Sequence, residues 1–369
     1  MEKNTIDVKG DDILPQMNRS KSVIGIPKSG VRKLNSIMAA AAVAACAFLS
    51  MPAECKEYQS ALVDNLSQEL GFPIYSWAPD NAPKAVVLAI HGATLHGRAY
   101  TTIGEHLSKN GYAVFSPDLR GFGAWYHNNK QDKEEERVTR AVLYRQSETD
   151  LKNLLGKLHE LYPGKPVFIM GESVGANFAI KLLANNPDCA AGMILSSPAV
   201  KQRMFFGPTV MMQCLTVFFV NPGAQLDVTP YLKSRVSENK KITDERINDP
   251  LGRNKMNVGE LFKTRWFNKE CLTFVPQVPS KAAVLVIEGA EDKLFDAEDV
   301  NNVMSQMPCE DKTVHLMKGK GHINLETVYL QPDVASIVDD WLAEKSTKYA
   351  NQPGKMTTVS SSDTGKTVP

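Results

Sequence analysis

Val167-Phe-Ile-Met-Gly-Glu-Ser-Val-Gly-Ala176 is the stretch that decides the fold. Its first four residues are apolar and favour extended backbone, so they predict a strand, and from Ala176 to Asn185 the apolar spacing is that of a helix. Between the two lies Gly171-Glu-Ser-Val-Gly175, a G-x-S-x-G pentapeptide. Alone the pattern is common by chance. Between a strand and a helix it predicts a tight turn that lifts the Ser173 hydroxyl clear of the sheet. Glycines two residues to either side leave room for close-packed main chain, and the helix N-terminus favours developing negative charge. Ser173 is the candidate nucleophile.

The same rhythm continues outward in both directions. Ala85–Ile90, Tyr112–Phe115, Met193–Leu195, Val284–Ile287 and Thr313–Met317 are short apolar or β-branched runs that end in Gly, Pro, Asp or Lys. Tyr100–Asn110, Ala141–Leu161 and Asp296–Gln306 have helical spacing, and Pro332–Leu342 adds a closing helix with proline at its start. Strands without polar faces alternating with helices predict an α/β fold, a mostly parallel doubly wound sheet covered on both sides. From Pro198 to Lys281 no parallel strand is indicated, so residues 199–280 read as a helical cap inserted between core segments 54–198 and 281–344. Lys345–Pro369 offers almost nothing to bury and is expected to be disordered. The mixed charge run Lys130–Arg137 reads as a solvated loop.

A serine hydroxyl is a weak nucleophile until a base takes its proton, so a histidine and an orienting acid are needed at strand ends. Val284–Ile287 runs into Glu-Gly-Ala-Glu-Asp292, and Thr313–Met317 runs into Lys-Gly-Lys-Gly-His322. Both leave the carboxyl edge of the sheet, where sites form in open α/β folds. Asp292 is the candidate acid and His322 the candidate base. Asp296 is read instead as a helix N-cap, and His106, His127, His159 and His315 as structural. The transition state also needs two donors for its oxyanion. Val174, next after the nucleophile, supplies one N–H; the loop His91-Gly-Ala-Thr-Leu-His-Gly97 supplies the other, with Ala93 as the candidate. His91 is expected to brace that loop by hydrogen bonding.

Composition narrows the partners. In 369 residues, 42 Lys and Arg face 41 Asp and Glu, a balance that argues against nucleic acid. The six cysteines show no C-x-x-C spacing, so no metal site or redox dithiol is indicated and most read as buried apolar residues. No cofactor is implied; the oligomeric state is not legible. The lead at 1–36 is basic towards its end and expected to be disordered, and the run 37–53 is apolar with a small-residue end. Together they predict export, to a periplasmic, membrane-anchored or secreted location. A cleaved signal, a retained anchor and lipidation at Cys46 are all compatible with this pattern.

The motifs taken together resemble the monoacylglycerol lipase and lysophospholipase-like branch of the α/β-hydrolases, also labelled serine aminopeptidase S33 or Hydrolase-4. The resemblance runs from about Phe72 to Leu342. It is carried by His91-Gly-Ala93 with Gly97-Arg98, by Gly111-Tyr-Ala-Val-Phe-Ser-Pro-Asp-Leu-Arg-Gly-Phe-Gly123, by Gly171-Glu-Ser-Val-Gly-Ala176, by Glu288-Gly-Ala-Glu-Asp292, by Gly319-Lys-Gly-His322 and, in the cap, by Asp249-Pro-Leu251. It departs at Phe122, where the family commonly has histidine, and at Thr94-Leu-His96, where it commonly has Gly-Glu-His. The resemblance implies a serine hydrolase of carboxylic esters acting on lipid-like monoesters such as monoacylglycerol or lysophospholipid. A short-chain esterase, thioesterase or peptidase would use the same triad, and a non-catalytic envelope binding protein is the reading from another class. Met204–Val220 carries no charge, and Phe205, Phe206, Met212 and Phe218 are expected to bind the acyl chain and to touch a membrane surface.

Overall fold

The computed structural model describes residues 61–127, 140–201, 216–217 and 219–350, together with Met212. The chain starts with α1 (Ala61–Leu70), β1 (Ile74–Trp77), β2 (Ala85–Ile90), α2 (Thr101–Lys109), β3 (Tyr112–Pro117) and α3 (Gly123–His127). Next come α4 (Tyr144–Leu161), β4 (Val167–Glu172), α5 (Val174–Asn185) and β5 (Gly192–Ser196). The inserted segment holds β6 (Gln225–Asp227), α6 (Thr229–Leu232), α7 (Lys240–Asn248), β7 (Lys255–Asn257) and α8 (Val258–Leu272). The chain returns to the core with β8 (Ala283–Gly289), α9 (Ala297–Ser305), β9 (Lys312–Met317) and α10 (Pro332–Tyr349).

The strands form one seven-stranded sheet in the order β1-β3-β2-β4-β5-β8-β9. Only β1 runs antiparallel, pairing with β3; each remaining neighbour pair is parallel. All six residues of β2 are buried, and they alternate between two apolar clusters: Val86, Leu88 and Ile90 on one face, Ala85, Val87 and Ala89 on the other. A period-2 strand that is apolar at every position has to be covered twice, and helices cover both faces. This is the doubly wound α/β fold expected from the sequence.

The differences have local causes. Strand β1 has no apolar run of its own in the sequence; it is held at the edge because Ile74–Trp77 pairs with Val114–Pro117. The cap is not purely helical, since β6 and β7 make an antiparallel ribbon of three residue pairs, Gln225 opposite Asn257. Three-residue strands lie below the length at which periodicity can be read. The closing helix does not stop at Leu342: Lys345, Ser346 and Tyr349 are buried along it. Lys345 Nζ reaches Asp311 Oδ1 at 2.7 Å and Tyr349 Oη donates to Lys281 O at 2.9 Å. A polar stretch is thus fixed by its stems and its tips rather than by an apolar stripe. The remainder of the expected tail, the basic lead and the apolar run 37–53 lie outside the described residues.

Candidate active site

Glu172 ends β4 and Val174 begins α5, so Ser173 alone makes the turn. Its backbone sits at φ 57°, ψ −119°, a left-handed φ that non-glycine residues adopt at a cost of about 1–3 kcal/mol. The sheet holds it there: Ser173 N–H donates to Ser196 O at 2.9 Å, and Ala176 N–H returns to Ser173 O at 3.1 Å. The flanking glycines are required by contact. A Cβ on Gly175 would overlap the Ile90 carbonyl oxygen, and one on Gly171 would overlap the Gly175 carbonyl.

The acid and base come from adjacent loops at the same edge. Asp292 Oδ2 lies 2.7 Å from His322 Nδ1. Asp292 Oδ1 accepts the N–H groups of Leu294 at 2.6 Å and Phe295 at 3.1 Å. Burial alone would raise the Asp292 pKa, but the His322 charge, the bond to its ring and the two backbone donors outweigh it and hold the carboxyl below its ordinary value. Burial likewise depresses His322, and the charge of Asp292, the bond to it and the charge of Glu172 reverse the sign, so the imidazole is more basic than usual. The backbone N–H groups of His322 and Ile323 both donate to Val236 O in the inserted segment, which fixes the histidine loop. Asp296 takes the place expected of it, as N-cap of α9, accepting from Glu298 N at 3.2 Å.

The loop after β2 faces Ser173. His91 Nε2 accepts Leu119 N–H at 2.9 Å, which leaves the proton on Nδ1, 2.7 Å from Gly92 O. Burial lowers the ring's pKa to about 3, so His91 is a neutral brace, as its position suggested. The departure at Phe122 is a packing one, its ring set edge-on to His91 at 5.8 Å. Among the described residues, no acceptor takes the N–H of Ala93 or of Val174, and both residues line the same cavity as Ser173 and His322.

Several residues that hold this loop are invisible to sequence reasoning. Thr94 has φ 69°, and its carbonyl accepts the Arg253 N–H at 2.9 Å and Arg246 Nη2 at 2.8 Å, while Arg246 also donates to Thr94 Oγ1. Arg246 is fully buried, which lowers its pKa to about 10, the nearby Asp249 opposing this. His96 Nε2 meets Asp249 Oδ2 at 2.6 Å. The Asp249-Pro-Leu251 motif had marked the cap without giving it a role; the structure makes it the partner of the oxyanion loop. Glu172 accepts three consecutive N–H groups, from Asn324, Leu325 and Glu326, at 2.6, 2.8 and 3.0 Å. Only the position of Glu172 beside the nucleophile could have singled it out.

The shared cavity has a volume of about 700 Å³. That lies within the range of pockets that bury most of a small ligand. Its far walls are Leu232 and Val236, Leu261 and Phe262, and Leu294 and Phe295. Of the four expected acyl-binding residues, Met212 alone falls among the described residues. It is 63% exposed and lies outside the lining, and among the described residues the cap's share of the wall comes from α8 and the segment around α6. Phe205, Phe206 and Phe218 lie outside the described residues. Of the cysteines, Cys189, Cys271 and Cys309 are unpaired and buried, with burial pushing each thiol pKa up, in Cys309 to about 11.

Comparison with known proteins agrees with this geometry. A family model, Hydrolase_4 (serine aminopeptidase, S33), matches residues 81–326. A monoglyceride lipase from Homo sapiens is 27% identical over 280 residues, covering 73% of this chain and 86% of the relative. A monoacylglycerol lipase from Mycolicibacterium smegmatis is 23% identical over 271 residues, 72% of this chain and 89% of the relative. Among solved structures, a soluble variant of monoglyceride lipase from Saccharomyces cerevisiae aligns with a TM-score of 0.61 at 18% identity, over 77% of this chain and 92% of that one. Monoacylglycerol lipase of Paleococcus ferrophilus aligns with a TM-score of 0.59 at 18% identity, over 74% and 99%. At that identity the structural likeness speaks for the fold.

Proposed function

The chain belongs to the serine aminopeptidase S33 (Hydrolase_4) family, and on that footing we propose that Ser173, His322 and Asp292 hydrolyse its substrate through an acyl-enzyme. The protein is a serine hydrolase of carboxylic esters acting on monoacylglycerol-like substrates, in line with its monoglyceride lipase relatives. One observation carries the assignment of residues: the 2.7 Å contact of His322 with Asp292 opens on a cavity that Ser173, Ala93 and Val174 also line. The protonated Nδ1 of His322 faces Asp292, so Nε2 is the basic atom available to Ser173.

In this reading Ser173 Oγ attacks the ester carbonyl as its proton passes to His322 Nε2, and the carbonyl π electrons move onto oxygen. The N–H groups of Ala93 and Val174 donate to that oxyanion, each contributing about 3 kcal/mol. Collapse breaks the C–O bond to the alcohol, which leaves with the proton from His322. Water then repeats the sequence on the acyl-serine, and the fatty acid leaves with Ser173 restored. Asp292 stays ionised throughout, stabilising the imidazolium. The test is labelling with a fluorophosphonate probe, alongside titration of fatty acid released from a monoacylglycerol. Labelling and release should both vanish in Ser173→Ala; turnover that survives the change excludes the assignment.

Two further readings belong to the same proposal. The protein works outside the cytoplasm, a reading supported by the basic lead and the apolar run 37–53. A reporter active only after export, fused behind Thr347, tests it against the same fusion lacking residues 1–53. The segment 204–220 touches a lipid surface; it lacks charge, and Met212, Phe219 and Val220 are 63%, 79% and 79% exposed. Replacing Met212 and Phe219 by Asp should reduce co-sedimentation with lipid vesicles.

A further inference from the structure

Glu326 is a buried carboxyl that the proposed reaction does not use. It follows His322 by four residues and lines the same cavity. Its Oε1 accepts the Gly92 N–H at 2.9 Å. A Cβ built on Gly92 would lie 3.0 Å from its Oε2 and 3.3 Å from both Glu172 O and Ser173 Cβ, so the carboxyl fills the corner between the oxyanion loop and the nucleophile turn. Gly92 is thereby pinned from below while Arg246 and Arg253 pin Thr94. Ala93, the residue between them, is the one whose N–H is left for the oxyanion.

The surroundings decide which charge state fits. From β4, Glu172 presents a second buried carboxyl, which also accepts the backbone N–H of Glu326 itself. Arg246 approaches from α7, and Glu245 on the same helix accepts from Thr327 and Val328, the next residues along the chain. Tyr100 is buried on the other side and gives its hydroxyl hydrogen to Ile90 O, while His322 lies nearer Glu172. Glu172 has three backbone donors and the histidine charge; Glu326 has one neutral donor and the more distant Arg246. Two carboxyls buried in each other's field resist ionising together, and the less well-solvated one keeps the proton. Burial and the charge of Glu172 accordingly push Glu326 well above the usual carboxyl range.

We propose that Glu326 is a positioning residue for the oxyanion: in its neutral form it holds Gly92, and hence the Ala93 amide, against Ser173, and its ionisation sets the alkaline limit of activity. An anion at this corner would stand beside the developing oxyanion and oppose it. The inference rests on the serine-hydrolase reading above, and its experiment separates the two. Glu326→Gln keeps an oxygen that accepts the Gly92 N–H but has no proton to lose; Glu326→Ala keeps neither.

The pH dependence of kcat/KM on a water-soluble monoester gives the first readout. Wild type should decline by about tenfold across an alkaline ionisation that is absent in E326Q. E326A should lose about tenfold in kcat at pH 7, and E326Q should recover most of it. The second readout needs no turnover. A carboxyl whose folded pKa is raised binds a proton that the unfolded chain has lost, so its penalty on stability grows as pH rises above the unfolded value. The Tm of E326Q minus that of wild type should therefore increase from pH 5 to pH 8. Coincident alkaline limbs in two enzymes that label with fluorophosphonate overturn the proposal, as does a Tm difference that is flat with pH. A wild type that does not label at all refutes the serine-hydrolase reading instead, and the Tm series still reports on Glu326.

Discussion

Asp292→Asn isolates the orienting role of the acid, because the structure fixes how the new amide must sit. Oδ1 of Asp292 accepts two backbone N–H groups, from Leu294 and Phe295, and Oδ2 faces His322 Nδ1. An asparagine has one oxygen and one NH₂. With the oxygen towards the two backbone donors, the NH₂ points at His322 and makes Nδ1 the acceptor. The imidazole proton then moves to Nε2, facing Ser173, where it cannot receive the hydroxyl proton. Flipping the amide would restore the tautomer but leave two buried N–H groups facing an NH₂, at about 1–3 kcal/mol each. The inactive arrangement is preferred by that margin, and kcat is expected to fall about 10⁴-fold, near 5.5 kcal/mol in the barrier. Fatty acid release at pH 7, measured with fluorophosphonate labelling kinetics, reads the effect. A D292N enzyme within tenfold of wild type, or a larger loss in Asp296→Asn, would refute the reasoning.

Arg246→Met removes the side-chain donors to Thr94 O and Thr94 Oγ1 but leaves the Arg253 N–H in place, so kcat should drop between about tenfold and about a hundredfold, short of losing an oxyanion donor outright. A wild-type kcat in this variant sinks the strap between cap and loop. Extending the acyl chain from four to ten carbons gives a gross gain of about 5 kcal/mol against the apolar wall, part of it offset by ordering. The rise in kcat/KM should flatten in Leu261→Asp, which lines the cavity, and persist in Met212→Asp, which does not; a preference of the unaltered enzyme for acetate esters refutes the lipid reading. His91 has a folded pKa of about 3 against 6.5, so the unfolded chain takes up a proton first and stability falls as pH drops from 6.5 towards 3. Denaturant midpoints over that window should fall less steeply in His91→Gln, and parallel slopes would count against the neutral brace.

The sheet was legible because burial on two faces leaves a one-dimensional trace. Ala85–Ile90 and Val284–Ile287 have no polar position, and only a strand covered twice requires that. Edge elements leave no such trace. Strand β9 mixes exposed and half-buried residues, and its assignment rests on Val314, Leu316 and their β-favouring neighbours rather than on burial. β1 and the β6–β7 ribbon owe their conformation to the partner they pair with, which no local window contains. The same reasoning explains the closing helix: what extends it past Leu342 is Asp311, thirty-four residues back, holding Lys345.

The candidate triad was legible for a different reason, namely that chemistry restricts it to a few residue types at strand ends. Ser173 directly follows β4, and Asp292 and His322 lie in the loops after β8 and β9, so their convergence depends chiefly on the sheet. What surrounds them does not. Glu172 and Glu326 are carboxyls that composition assigns to the surface, and both are buried because backbone amides and each other's protonation state replace water. Arg246 lies on a helix whose sequence, Lys-Lys-Ile-Thr-Asp-Glu-Arg-Ile-Asn, reads as solvated, yet it is 3% exposed and bonded to a loop 152 residues away. A polar side chain gives no sign in sequence of whether water or main chain satisfies it. The supporting shell is written in charged residues that hydropathy discards, so it becomes visible only when the loops are placed, and there the inserted segment holds the oxyanion loop as well as roofing the cavity.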